Sequence, residues 1–423
     1  MRRFLFFIIL LCFFSVNSFA YDATEQSWLN GIRQEGAVFS HNNRLVFFKT
    51  GKEKFDDMFA AIRQAKQSVH MEYFNFRDDS IANALFDLLE IKVKEGVEVR
   101  LLFDGFGNDS NNKPLRKNKL KELRERGLNI REYDPVRFPW LNHIAFRDHR
   151  KIVIIDGKAA YSGGMNVADY YLNGKPEFGE WRDIHFRVEG DAVGEYQKIF
   201  ISMWKRTTGE DVHGPQYYPG ESYPENALKG LKQDTTSTAG EKTLAVVNRE
   251  PKLTPGIIRH TFVDAINAAK TKIQIINPYF TLRHSVRKAL FNALKRGVEM
   301  EIMVSESSDI PVTPLVVDYN VHKLMEKGAK VFYFKGGFHH SKIMMIDSTY
   351  CFAGSANLDS RSLNFDYECN ALILDPCSTH ELQSIFNHDK VNRCIFMTED
   401  YWKQRSKGKK FSMWIYHFLE TWL

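Results

Sequence analysis

Long apolar runs are scarce in this sequence. The longest, Phe4 to Phe14, covers about 11 residues where a membrane-crossing helix needs ~20, which excludes a chain that crosses a membrane many times. A surplus of either charge is also missing from the body. The formal +6 of the chain comes from Arg2 and Arg3 and from five basic residues set against Glu420 in residues 401–423, so residues 21–400 sum to zero. A long polyanion such as nucleic acid is therefore not an expected partner of the body. Cysteines are few, five in 423 residues, and none shows the paired short spacing of a zinc site. Cys12 lies in the apolar run, while Cys351, Cys369, Cys377 and Cys394 crowd into the last third, where two disulfides and buried free thiols are both open readings. What the chain does have is ordinary core material, 43% hydrophobic with 26% charged, which excludes disorder and collagen and suffices for two to three domains.

The two ends carry the charge for different reasons. Arg2-Arg3, the apolar run and Ser18-Phe19-Ala20 have the three-part form of a secretory signal over residues 1–20, with an uncleaved N-terminal anchor as the alternative. At the other end Phe411, Trp414, Ile415, Phe418, Leu419 and Trp422 recur at helical spacing behind Lys403, Lys407, Lys409 and Lys410. Such a helix could dock on its own domain. The aromatic face with a basic lead-in favours instead an interfacial helix on an anionic lipid surface, so residues 401–423 are expected to touch the membrane.

Between the ends the chain repeats itself. Residues 55–76 (FDDMFAAIRQAKQSVHMEYFNF) resemble residues 262–282, each an amphipathic helix leading into an apolar strand that ends in Tyr-Phe. Gly96 and Gly127, then Gly297 and Gly328, follow at the same interval of 31 residues and read as helix C-caps before strands. The pattern predicts an α/β fold of two repeated domains, residues 37–213 and 241–400, each a largely parallel sheet layered by helices. Residues 214–240, rich in proline, glycine, serine and threonine, read as the linker.

Each copy then delivers His-x-Lys-x4-Asp: His149, Lys151 and Asp156 in the first, His340, Lys342 and Asp347 in the second. The residues between Lys and Asp are apolar, so each motif runs into a buried strand with His and Lys on one face. Gly163 and Gly354 follow their histidines by 14 residues, and Asn166 and Asn357 by 17. A chance pair of structural histidines would not repeat at equal offsets in equivalent repeats. Lysine is a poor metal ligand and no carboxylate stands at ligand spacing beside either histidine, so no metal or other cofactor is expected. The lysines and asparagine amides suit a clamp on the non-bridging oxygens of one phosphoryl group. One imidazole can attack phosphorus while the other protonates the leaving oxygen, giving a phosphohistidine that an alcohol or water then resolves. Each imidazole needs its second nitrogen held, and Asp183 and Glu368 are the downstream carboxylates available. Asp156 and Asp347, at the far ends of their strands, read as supports within the motif.

At these residues the chain resembles the phospholipase D superfamily, whose signature is the duplicated His-x-Lys-x4-Asp. Residues 149–171 (HRKIVIIDGKAAYSGGMNVADYY), 180–193, 101–107 (LLFDGFG) and 354–372 (GSANLDSRSLNFDYECNAL) look like the bacterial cardiolipin synthases. The resemblance implies two α/β/α domains sharing one central active site. It also implies a phosphatidyltransferase that joins two phosphatidylglycerol molecules into cardiolipin and releases glycerol, in the periplasm or at the inner membrane. By the same resemblance His149 is the nucleophile and His340 the acid/base, a choice the symmetry of the motifs does not make. A lipid hydrolase with water as acceptor, and an exported phosphodiesterase or nuclease, remain the alternatives, with a non-catalytic membrane scaffold disfavoured because both motifs are intact.

Overall fold

Two runs of alternating helix and strand signals build two copies of one sheet, and the computed structural model describes residues 19–139, 145–218, 232–233 and 241–420. In the first half Ser68–Tyr73, Glu98–Asp104 and Asn129–Tyr133 run parallel. In the second, Lys272–Ile276, Glu299–Ser305 and Lys330–Phe334 do the same. The strands that follow each motif histidine, Lys151–Ile155 and Ile343–Ile346, pair antiparallel with the first of these. Ala159–Gly163 and His185–Glu189 then extend one sheet, Tyr350–Gly354 and Glu368–Ile373 the other. Ser68–Tyr73 is buried at every position, as expected for a central strand covered on both faces. The repeat and the α/β class read from the sequence are borne out.

One expectation about strand length is corrected. In the second repeat the strand stops at Ile276 and does not reach Tyr279-Phe280. Pro278 has no N–H to offer a ladder, so the chain leaves the sheet and Tyr279 hangs beyond its edge.

The halves join edge to edge. Val38–Phe48, the opening strand of the first half, spends its second part on His185–Glu189 and its first part on Lys242–Arg249, which opens the second half. Among the described residues one sheet of 15 strands results. The long helices Ala192–Thr208 and Pro376–Asn392 cover the seam: Tyr196, Phe200 and Trp204 from one, Leu382, Ile385 and Phe386 from the other, share a core with strand residues of both halves.

Helix Ala23–Gln34 precedes the first half in sequence yet packs on the second. Asp22 caps it through a reciprocal bond pair with Glu25, and its Trp28, Leu29 and Ile32 enter the core formed by Ile257, Ile258 and Phe262. Each such buried side chain contributes about 1.5–3 kcal/mol. At the other end helix Lys407–Tyr416 packs on Thr313–Met325. Trp402 stacks on His322 at 3.8 Å, Arg405 holds the buried Asp318 at 2.8 Å, and Asn320 donates to Glu420 at 2.6 Å. Cys351, Cys369 and Cys394 are free thiols. The apolar N-terminal run and Trp422 lie outside the described residues, as does most of the linker. Among the described residues no helix is long and apolar enough to cross a membrane.

Candidate active site

The parallel strands of both halves end on a common cleft, the usual place for a ligand in an open α/β sheet. Phe74 and Asn75 follow one strand and Tyr279 hangs beyond the other, and all three line a cavity of about 530 Å³ that both motif histidines enter. An adjoining cavity of about 440 Å³ shares His149, Phe74 and Tyr279 and adds Asn357 and Arg361.

The backbone crosses the two halves at this point. His149 N donates to Tyr367 O at 3.0 Å, and His340 N donates to Arg182 O at 2.6 Å. Tyr367 and Arg182 each precede a carboxylate, so each histidine loop is tied to the segment carrying the other half's acid. His149 Nδ1 lies 2.8 Å from Glu368 Oε1, and His340 Nδ1 lies 2.8 Å from Asp183 Oδ2. A neutral imidazole donating from Nδ1 to a carboxylate keeps a lone pair on Nε2, the form a nucleophile or a base requires.

The two pairs are not electrically alike. Burial and Lys151 lower the His149 pKa, and burial with Lys342 lowers that of His340 further. Burial pushes both carboxyls up; at Glu368 the imidazole, Lys151 and the Ser355 hydroxyl outweigh it, and its pKa falls below the ordinary value. At Asp183 burial wins, lifting the carboxyl to about 7 despite Lys342. The sequence holds the reason: Ser355 donates to Glu368 Oε2, while the equivalent position in the first half is Gly164. A Cβ there would meet the Asp183 carboxylate oxygens at 2.5 Å, so the first half has room for neither a hydroxyl nor the atom that would carry it.

Lys151 donates to the carbonyl of His149 and Lys342 to that of His340. Lys342 Nζ is also 2.9 Å from His340 Nδ1. Burial brings Lys151 down to about 7 and Lys342 to about 8, with carboxylates of the site opposing the shift. Asn166 lines the larger cavity with both histidines and Asn357 the smaller, and each has a buried Oδ1 without a partner among the described residues. Their turns are held from behind. Met165 N donates to His185 Nδ1 at 3.4 Å, and at the equivalent place Ala356 N donates to Asn370 Oδ1 at 3.1 Å.

The motif aspartates stand elsewhere. Asp156 accepts from the backbone N–H groups of Lys66, Gln67 and Ser68, and Asp347 from those of Lys270, Thr271 and Lys272. Both have φ near +50°, a left-handed turn at the strand's far end, and both tie the start of the inner parallel strand. Sequence reasoning missed Arg147, whose guanidinium is clamped by the buried Asp104, and Ser355, His185 and Asn370. The offset of each from its motif glycine was the available signal for the last three. Among the described residues no cluster of three or more His, Cys, Asp or Glu side chains could hold a metal ion.

Paired histidines, lysines and asparagines from two sheet copies around one cleft define a class, the enzymes of the phospholipase D superfamily. A family model described as cardiolipin synthase, PLD-like domain, matches residues 58–204 and 262–390. The cardiolipin synthase of Oceanobacillus iheyensis is 33% identical over 381 residues, 90% of this chain and 75% of the relative. That of Halalkalibacterium halodurans is 35% identical over 384 residues, 90% and 71% of the two. The crystal structure of phosphatidylserine synthase from Haemophilus influenzae superposes with a TM-score of 0.68 at 13% identity, covering 93% of this chain and 99% of that one, a likeness of fold. The chain belongs to the cardiolipin synthase family of PLD-like proteins.

Proposed function

We propose that the protein forms cardiolipin from two phosphatidylglycerol molecules through a phosphohistidine on His149. The observation that carries the reading is the crossed pairing of each histidine with the opposite half's carboxylate at one cavity. His149 Nε2 attacks phosphorus as the bond to the departing glycerol oxygen breaks. That oxygen takes its proton from His340, whose pair with Asp183 retains one near pH 7. His340 then removes the proton of the accepting hydroxyl as its oxygen displaces His149. Lys151, Lys342, Asn166 and Asn357 hold the non-bridging oxygens throughout, and Asp183 and Glu368 orient the rings.

A lipid substrate requires contact with a bilayer, and the tail supports this. Helix Lys407–Tyr416 docks through Met413, while Phe411, Trp414, Ile415, Phe418 and Leu419 stay 42–63% exposed. A helix that served only for docking would bury that face. Lys403, Lys407 and Lys409 are exposed beside it, the composition of an interfacial anchor on anionic lipid. We assign the protein to a membrane surface on these grounds.

The test supplies the purified protein with phosphatidylglycerol in detergent and follows cardiolipin, phosphatidic acid and glycerol. Cardiolipin with equimolar glycerol is expected. Phosphatidic acid alone would make the protein a hydrolase, and cleavage of single-stranded DNA without lipid turnover would make it a nuclease.

A further inference from the structure

The halves differ most between the asparagine and the carboxylate. Seventeen positions lead from Asn166 to Asp183 but eleven from Asn357 to Glu368. The longer connection forms the short helix Tyr170–Asn173 and a tight loop closed by Lys175 N to Gly179 O at 2.8 Å and Gly179 N to Lys175 O at 2.7 Å. Gly174, at φ +71°, permits this closure, since a Cβ there would lie 2.2 Å from Gly179 O. The loop aims Lys175 into the larger cavity, beside His149 and His340.

Lys175 is half-buried among rings. Its Nζ lies 4.3 Å from the Trp181 centroid, 4.6 Å from that of Tyr170 and 5.7 Å from that of Phe178. No carboxylate of the described residues comes within 4.0 Å of it. The nearby acids are otherwise placed: Asp309 accepts from the Tyr279 hydroxyl at 2.7 Å, Asp169 accepts from the backbone of Ser80 and Ile81, and Glu177 is exposed. Arg77, in the same cavity, is paired with Asp79. Lys175 is thus a cation held by aromatic faces at the reaction cavity, where Asp309 acts on it only from beyond ion-pair distance and no anion touches it.

The reaction supplies one. Lys151 and Lys342 answer the phosphoryl group being transferred, but an accepting phosphatidylglycerol carries a second phosphodiester three carbons from its attacking hydroxyl. Water and neutral alcohols carry none. We propose that Lys175, in its box of Tyr170, Phe178 and Trp181, is the subsite for the phosphodiester of the accepting lipid and selects an anionic alcohol over water. This rests on the reading of the protein as a phosphatidyltransferase.

The experiment compares wild type, Lys175→Ala and Lys175→Arg on phosphatidylglycerol micelles containing butanol, and counts cardiolipin, phosphatidylbutanol and phosphatidic acid. A ratio of products is independent of how much enzyme folds. In Lys175→Ala the ratio of cardiolipin to phosphatidylbutanol should fall about tenfold, the loss of one charge-assisted contact, and Lys175→Arg should recover most of it. An unchanged ratio, or equal loss of all three products, overturns the subsite while the function stands. A wild type that makes no cardiolipin overturns the function and the subsite with it.

Discussion

The first half and the second half present histidine, lysine and asparagine at the same offsets, yet their histidines stand in different electrical settings. Glu368, from the second half, is held ionised by the Ser355 hydroxyl and by His149. Asp183, from the first, has a backbone N–H of Ile184 at 2.8 Å and Gly164 where a hydroxyl could be. An ionised partner favours a ring with its Nε2 lone pair free, and a carboxyl near 7 favours a pair that still holds a proton to give. A duplicated frame therefore places two equivalent imidazoles, and in the proposed mechanism the single differences behind them divide the labour. Loop length separates the halves as well, with the Lys175 loop in the first. The tail and helix Ala23–Gln34 both pack on the second.

The sharpest break of this comparison is at the histidines. His149→Ala and His340→Ala should each lower turnover by about 10⁴-fold, and the double variant should be little worse, because the two act as one unit. A substrate with a nitrophenolate leaving group needs no acid. His340→Ala should still release a burst of nitrophenol from it and His149→Ala should not; the reverse pattern would exchange their roles.

Next in size are the carboxylates. Glu368→Gln and Asp183→Asn should each lower kcat by about 10²-fold or more, since the ring loses its fixed orientation and charge partner. Near-normal kcat in either would separate that carboxylate from catalysis.

Smaller effects belong to pH. The lysines must be charged to hold phosphate, and burial brings them to about 7 and 8, so kcat/KM should fall as pH rises through that range, well below the ordinary lysine value. A profile flat to pH 9.5 would contradict this. Ser355→Gly makes the second half resemble the first. With a donor to the ionised form removed, the Glu368 pKa rises and the acid limb of kcat/KM should move to higher pH. An unmoved limb would show that Ser355 does not set the asymmetry.

Last comes the tail. Trp414→Ser with Phe418→Ser should weaken binding to phosphatidylglycerol vesicles severalfold with an unchanged melting temperature, because both rings are exposed. Lost thermal stability with unaltered vesicle binding would return the helix to a purely packing role.

Much of this was legible in the sequence. The helix and strand order of each copy follows from periodicity, and Gly96, Gly127, Gly297 and Gly328 announced helix ends that do carry positive φ. Eight of the ten candidate residues could be named because their spacing repeats, and Asp183 and Glu368 because they were the carboxylates available downstream. Their grouping was only half legible: Asp156 and Asp347 belong to the motif in sequence but serve a turn away from the cleft. Lys175 gave no signal, since the loop that carries it has no counterpart in the second half.

By itself, then, the sequence determined two α/β copies and a phosphate-directed chemistry, because strand and helix periods and motif offsets are properties of neighbours along the chain. Which carboxylate serves which histidine was a tertiary decision. His149 and Glu368 are 219 residues apart and His340 and Asp183 157, and no local pattern reports a contact made across a sheet seam. The docking of Ala23–Gln34 on the far half and the exposure of the tail's aromatic face were decided there too. An amphipathic period says that a face must be covered, and only packing says by what.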